Sequence, residues 1–519
     1  MAKQPFKVMD GYRLPVLNCV LMAGFVLFGS IAPAIADTPA KGGTLVVGRV
    51  ADIDTFDPYN TQDDPSIFTE LTVYERLVRL ADDGRGIAPE LATSWTISPD
   101  GLTADFTLRQ GVKFWDGTPL TADDVVFSLA RAVDQKSSWG FLFSPVKSVT
   151  KVDDKTVRFQ MTEPFAPLLT ALSTFAASIY SKANFEKWGD QAGNHPMGTG
   201  AFALKNWNRG REVVLVRNPN YWQGGKPYLD SVVFRDVGDD NARTVQLASG
   251  DLGLIANVPA NQVNQITSAG NVVFRVPGTM IGFIELNHKV PPLNDRGARC
   301  ALAYALDRES IAKVVYMGFA APALSLMPAA TLYYDPNTDP IAYDLEKAKA
   351  ELAQSAAPNG FTVNVNVRNG TASDLAVAQI WAAALAKIGI TLNIQQIEAT
   401  TAQQMVNSEQ YSIDISTWTN DTPDPDELMG VTQDYQSQDA DHSNYHSDEA
   451  RNLVIAARKE MDPAKRQVLY SKLQRLVNTD CSFFYTANED RIFAAQPAVQ
   501  GFSPNSQGKY NFENVWLKH

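Results

Sequence analysis

The run from Arg296 to Ile397 constrains the fold most. Its apolar spacing predicts helices over Arg296–Leu306, Arg308–Val315 and Leu345–Ser355, a strand over Thr362–Val367, a helix over Asp374–Ile388 and a strand over Thr391–Ile397. Helical runs alternating with short β-branched runs argue for an α/β lobe in which helices cover a sheet. Residues 91–161 read differently. Apolar and polar residues alternate from Leu91 to Phe114 and from Val149 to Met161, with turn signals at Pro99-Asp100-Gly101, Gln110-Gly111 and Asp153-Asp154. A turn at Asp116-Gly117-Thr118-Pro119 leads into a helix with Thr121 at the N-cap and Asp124 at the third position. This block is β-rich with one or two helices.

Elsewhere, Gly43 to Gly48 reads as a short buried strand and Ser66 to Leu80 has helical periodicity. Gly198-Thr199-Gly200 marks a close approach of chain segments. Strands are expected at Val213–Val216, Val232–Phe234 and Val272–Val276, with a helix at Asp240–Ala248. Near Gly282 to Asn287 the chain crosses into the second region, which ends with helices Asp448–Glu460 and Pro463–Asn478 and a strand at Phe483–Tyr485.

Lys3, Lys7 and Arg13 precede an apolar stretch from Cys19 to Gly29, and Ala34-Ile35-Ala36 offers the small residues of a cleavage site. That pattern reads as a secretory signal peptide over residues 1–36, with the mature chain starting near Asp37. The apolar run falls well short of the ~20 residues that span a bilayer. Losing three basic side chains and one acid moves the formal charge from −12 to −14. An acidic chain without a basic cluster is a poor partner for nucleic acid or anionic lipid. The roughly 480 mature residues exceed what one core supports, so two or three lobes are expected. Of the cysteines left after processing, Cys300 lies in a helix-like run and Cys481 opens a strand-like one. Two separately buried thiols are expected, one disulfide being the alternative in an exported protein.

Several stretches together resemble the periplasmic solute-binding proteins of ABC importers, in the family that includes dipeptide- and oligopeptide-binding proteins. They are Gly42-Gly43-Thr44-Leu45, Ala88-Pro89-Glu90-Leu91-Ala92 with Trp95, the run from Gly111 to Val125, Gly198-Thr199-Gly200, Arg217 to Trp222 and Ala301 to Arg308. The blocks occur in the family's order across residues 42–519. The resemblance implies a two-lobed α/β fold of the type II periplasmic-binding-protein kind with an extra β-rich domain inserted in lobe I. It places lobe I at 37–283 with the insertion at about 75–195, lobe II at 284–486, and a return to lobe I at 487–519. It implies a periplasmic monomer without cofactor or catalysis, which closes around a short peptide or other small solute and presents it to an inner-membrane ABC permease.

Trp418 to Glu427 holds four acids within seven residues, Asp421, Asp424, Asp426 and Glu427. Asp424, Pro425 and Glu427 fit an N-cap, a first-turn proline and a capping box, and Asp426 fits a solvated acid in the first turn. Asp421 has no such role. In dipeptide-binding relatives a Trp-x-x-Asp arrangement receives the peptide's α-ammonium, which assigns Asp421 here. Asn420 replaces the glycine frequent before that aspartate. Arg368, at a strand end before a turn and a helix, is positioned like an arginine of those relatives and suits bidentate pairing with a carboxylate. Trp418 is expected to stack on the ligand, while Phe56 and Tyr59 are weaker candidates for its pocket. The competing readings are opine-like or other nitrogenous solutes, oligosaccharides, a metal chelate, and, from another class, a metal-dependent hydrolase. The last finds no H-E-x-x-H pattern around His442 and His446, which are expected to be exposed loop residues.

Overall fold

In the computed structural model, which describes residues 38–81, 84–437 and 440–518, eleven strands join in one mixed sheet. The signal segment at 1–36 and the start at Asp37 lie outside the described residues. The elements that position the site are β1 (Thr44–Arg49), α1 (Asp64–Val73), β2 (Phe202–Asn208), β3 (Glu212–Arg217), β4 (Ser231–Asp236), β5 (Leu254–Ile255) and β6 (Val272–Leu286). They continue with β7 (Thr362–Arg368), α2 (Ala372–Leu385), β8 (Thr391–Ile397), β9 (Ile413–Thr419), α3 (Asp426–Gln433), α4 (Pro463–Asp480) and β10 (Phe484–Ala495). The strand order is β8-β7-β9-β6-β10-β5-β1-β4-β3-β2, with the short strand Ala320–Pro322 added on β10. β7 is parallel to both β8 and β9, as strands joined through covering helices must be. A separate antiparallel sheet of four strands lies within residues 92–161.

The long β6 and β10 pair with each other over most of their lengths. Their alternation feeds different cores. Ile284 and Phe484 face a cluster with Val365 and Trp381, whereas Phe283 and Tyr485 face one with Met429 and Tyr470. The other end of the sheet packs Val47, Phe234 and Phe493 into a further core.

Local signals survive folding. Thr121 and Asp124 form the expected reciprocal capping box. Gly198 and Gly200 lie so close to the Val73 carbonyl that a Cβ would sit 2.2 and 2.5 Å from its oxygen. The periodic run after Ser66 divides, with α1 ending at Val73 and a short strand following at Val78–Leu80.

Three expectations are corrected. Cys300 and Cys481 are joined in a disulfide, Cα atoms 5.2 Å apart. A left-handed backbone at Cys481, the C-cap of α4, turns that residue toward the Cys300 helix. The capping box at Asp424 does not close, although Asp424 Oδ1 still accepts from the Asp426 amide at 3.0 Å. The Asp424 carboxylate takes both terminal nitrogens of Arg466 in a pair buried on both sides, and Glu427 accepts instead from the Asp421 and Thr422 amides. Asp426 is not solvated, since it accepts from Arg458 Nε at 3.0 Å.

Candidate functional site

Three strands build one wall of a cavity of about 450 Å³. β9 carries Ile413 and Ile415 toward the core, so Asp414, Ser416 and Trp418 point the other way. Register then places Glu285 of β6 opposite Asp414, and Phe283 opposite Ser416. Arg368 ends β7 beside them, and Asp441 and His442 close the rim. Ser138 and Phe141 reach the same cavity from the part of the chain that carries the separate sheet.

Arg368 lies where a ligand carboxylate is expected, but it already has protein partners. Its Nη1 donates to Asp414 Oδ2 at 2.8 Å and to the Ile415 carbonyl at 2.9 Å. Burial pushes Asp414 up to about 6 despite that guanidinium. Glu285 is pushed up to about 7, again chiefly by burial, with Asp414 adding to the effect. Its Oε1 accepts from the Tyr411 hydroxyl at 2.7 Å. Burial and the Glu285 charge together hold Asp441 well above the usual carboxylate range.

Asp421 lies beyond the end of β9. Its carboxylate is 2.8 Å from Lys509 Nζ, with side chains 12 % and 10 % exposed, and the same ammonium donates to the Asp421 carbonyl at 2.8 Å. Glu427 is buried beneath and raised by burial and by Asp421. Asp64, at the start of α1, is raised by burial and by Asp421, while Arg491 and Lys509 oppose the shift. Arg491 Nη2 donates to Thr419 Oγ1 at 3.2 Å. Three acids and two cations thus meet in one cluster, in which Asp421 is paired with Lys509 and burial favours protons on Glu427 and Asp64.

Asn420 has a use that a glycine would not. It is fully buried, and its Oδ1 accepts from the Trp418 indole N–H at 3.1 Å, which fixes the ring against the cavity. The structure does not bring Phe56 or Tyr59 to the cavity. Phe56 is buried in the core against Trp207, and Tyr59 lies under Arg131 and donates to Asp134. His446 is exposed and stacks on Tyr435, but His442 lines the cavity rather than the open surface. No group of three or more potential metal ligands occurs among the described residues.

Sequence reasoning missed Lys509, Arg491, Glu285, Asp414 and Asp441. For Asp414 a signal existed, a carboxylate at the inward-alternating position between Ile413 and Ile415. For Lys509 none did, because it meets Asp421 across 88 residues of sequence.

The chain matches the family described as bacterial extracellular solute-binding proteins, family 5 (middle), over residues 86–439. It is 29% identical to the glutathione-binding protein GsiB of Salmonella typhi over 500 residues, 94% of this chain and 97% of that one. Among solved structures, the periplasmic binding protein DppA of Helicobacter pylori in complex with the peptide STSA superposes with a TM-score of 0.80. It is 30% identical and covers 92% of this chain and 99% of its own. The binding protein AgaA from A. tumefaciens R10, in complex with agropinic acid, gives a TM-score of 0.79 at 27% identity, covering 92% of this chain and 99% of that one. The fold is the α/β type II periplasmic-binding-protein fold.

Proposed function

Because this chain belongs to the family 5 bacterial extracellular solute-binding proteins, a family of binding proteins and not enzymes, we propose that it captures short peptides for an ABC importer. In this reading it works in the periplasm as a monomer and hands its ligand to an inner-membrane permease. Asp421 receives the α-ammonium, Arg368 the carboxylate, and Trp418 stacks between them.

One observation supports the reading: Arg368 lines the cavity beside β9, and Asp421 lies just beyond the end of that strand. Arg368 reaches the Ile415 carbonyl, and Asp421 lies six residues further along the chain. That is about 20 Å at most in extended chain. The two side chains shorten the gap to one that a short peptide fills at about 3.5 Å per residue. The acids gathered around Asp421 support an ammonium, and Arg368 keeps its outer edge for a carboxylate, since its side-chain hydrogen bonds to Asp414 and Ile415 both leave from Nη1.

Lys509 supports a second reading. A carboxylate already matched by an ammonium suits an opine-like solute without a free α-amine, and AgaA is a relative whose structure holds one.

The test is a thermal-shift screen of the mature chain, stripped by unfolding and refolding, against di- and tripeptides, their N-acetylated forms and opines. A ligand at 100 times its Kd adds about 2.7 kcal/mol. Free peptides are expected to stabilise, acetylation to abolish the effect, and Asp421→Ala to weaken binding by about 3–5 kcal/mol. A response to opines alone selects the second reading, and no response to any peptide refutes the first.

A further inference from the structure

The cavity wall holds more acid than a peptide's backbone termini require. Glu285, Asp414 and Asp441 all line it, and Arg368 is the cation among its lining residues. Two carboxylate oxygens there have no hydrogen-bond partner among the described residues, Asp414 Oδ1 and Asp441 Oδ2, both closed off from solvent. Asp414 as a whole is 1 % exposed, so water does not offset the loss. Each acid also has one side already satisfied. Asp414 Oδ2 takes Arg368, Glu285 Oε1 takes the Tyr411 hydroxyl, and Asp441 Oδ1 takes the Ser443 hydroxyl at 2.8 Å. Tyr411 and Ser443 hold Glu285 and Asp441 in place without cancelling their charge, while Arg368 offsets that of Asp414, so the wall still carries more acid than cation.

We propose that this cavity is a subsite for a cationic side chain of the ligand, an ammonium or guanidinium held by Glu285, Asp414 and Asp441. The proposal rests on the peptide reading and names the kind of peptide. Several N–H donors on one compact cation suit three acids that line one cavity. The volume of about 450 Å³ accommodates a long basic side chain with room for its methylenes. Phe283 and Trp418 supply apolar surface against which those methylenes lie, as Lys and Arg stems do elsewhere. Burial raises all three acids above the usual carboxylate range, so without a ligand cation protons carry part of the neutralisation.

The experiment is titration calorimetry on the full mature chain with Ala-Lys and Ala-(Nε-acetyl-Lys), which differ in charge and hardly in length. Ala-Lys is expected to bind at least tenfold more tightly. Glu285→Gln and Asp441→Asn are each expected to shrink that ratio, which is read on one protein with two ligands and so is insensitive to a general loss of folded material. Equal affinities for the two peptides in the unaltered chain overturn the subsite while leaving the peptide reading intact. No binding of either overturns both.

Discussion

Replacing Lys509 with methionine separates two roles for the ammonium on Asp421. The side chains are about nine-tenths buried, and Glu427 and Asp64 add acid nearby. Removing one partner of a buried pair costs about 3–5 kcal/mol, because the other charge is left uncompensated. Arg491 remains close, so the lower end, about 3 kcal/mol, is expected. Unfolding entropy of about 2.1 cal/mol/K per residue over roughly 480 residues makes ~1 kcal/mol per degree, so Tm of the unliganded chain should fall by about 3 °C. If the site then takes a ligand ammonium, that ligand restores the lost charge. Free-amine peptides should bind about ten to a hundredfold more tightly, since each 1.4 kcal/mol is about a factor of ten, and N-acetylated peptides should not gain. Calorimetric titration of both peptide forms, with a melting curve of each protein, reads every part of this. Weaker binding of both forms would mean that Lys509 itself contacts the ligand. An unchanged Tm with unchanged affinities would mean that the pair is solvent-screened. Either result refutes the reasoning.

Two further outcomes follow from buried groups. Burial raises Glu285 and Glu489 from an ordinary 4.5 to about 7, and Glu75 to about 8. The folded chain therefore keeps protons that the unfolded chain has released, and stability should fall as pH rises through 7 and 8. His288, lowered by burial to about 3, acts the other way only below its ordinary 6.5, so urea midpoints at pH 6.5 and 8 isolate the carboxyls. A higher midpoint at pH 8 contradicts the assignment. The Cys300–Cys481 bridge spans 181 residues, and replacing both cysteines with serine should cost about 3–5 kcal/mol. A urea midpoint unmoved by the double change would show that the bridge does not constrain the unfolded chain.

What was legible in the sequence was local. Thr121 and Asp124 are three residues apart, so their capping box could be read directly. The extents of β8 and α4 followed from periodicity to within two residues. Asp424 carried an equally good local signal and keeps the Asp426 amide, but no capping box closes, and its main partner is Arg466, 42 residues away, with two charged hydrogen bonds. The site shows the same division. Asp421, Arg368 and Trp418 are visible as residue types in suggestive places, but their partners come from β6, β9 and the C-terminal segment. Only the fold decides that Lys509 meets Asp421 and Asp414 meets Arg368.

β6 and β10 run side by side through the middle of the large sheet, and their ladder slips between Pro277 and Met280. There a Cβ on Gly278 would lie 2.3 Å from the Glu489 carbonyl oxygen, so the two backbones are in contact. A paired ribbon of this kind resists stretching but yields to torsion, and the slip removes ladder bonds where torsion concentrates. Away from the ribbon, Lys459 reaches Glu163 at 2.6 Å, in a pair more than a third exposed on each side, and the Ala166 amide donates to the Arg458 carbonyl. Lys459 and Glu163 do not line the cavity, so a change at that contact leaves the groups around the cavity as they are.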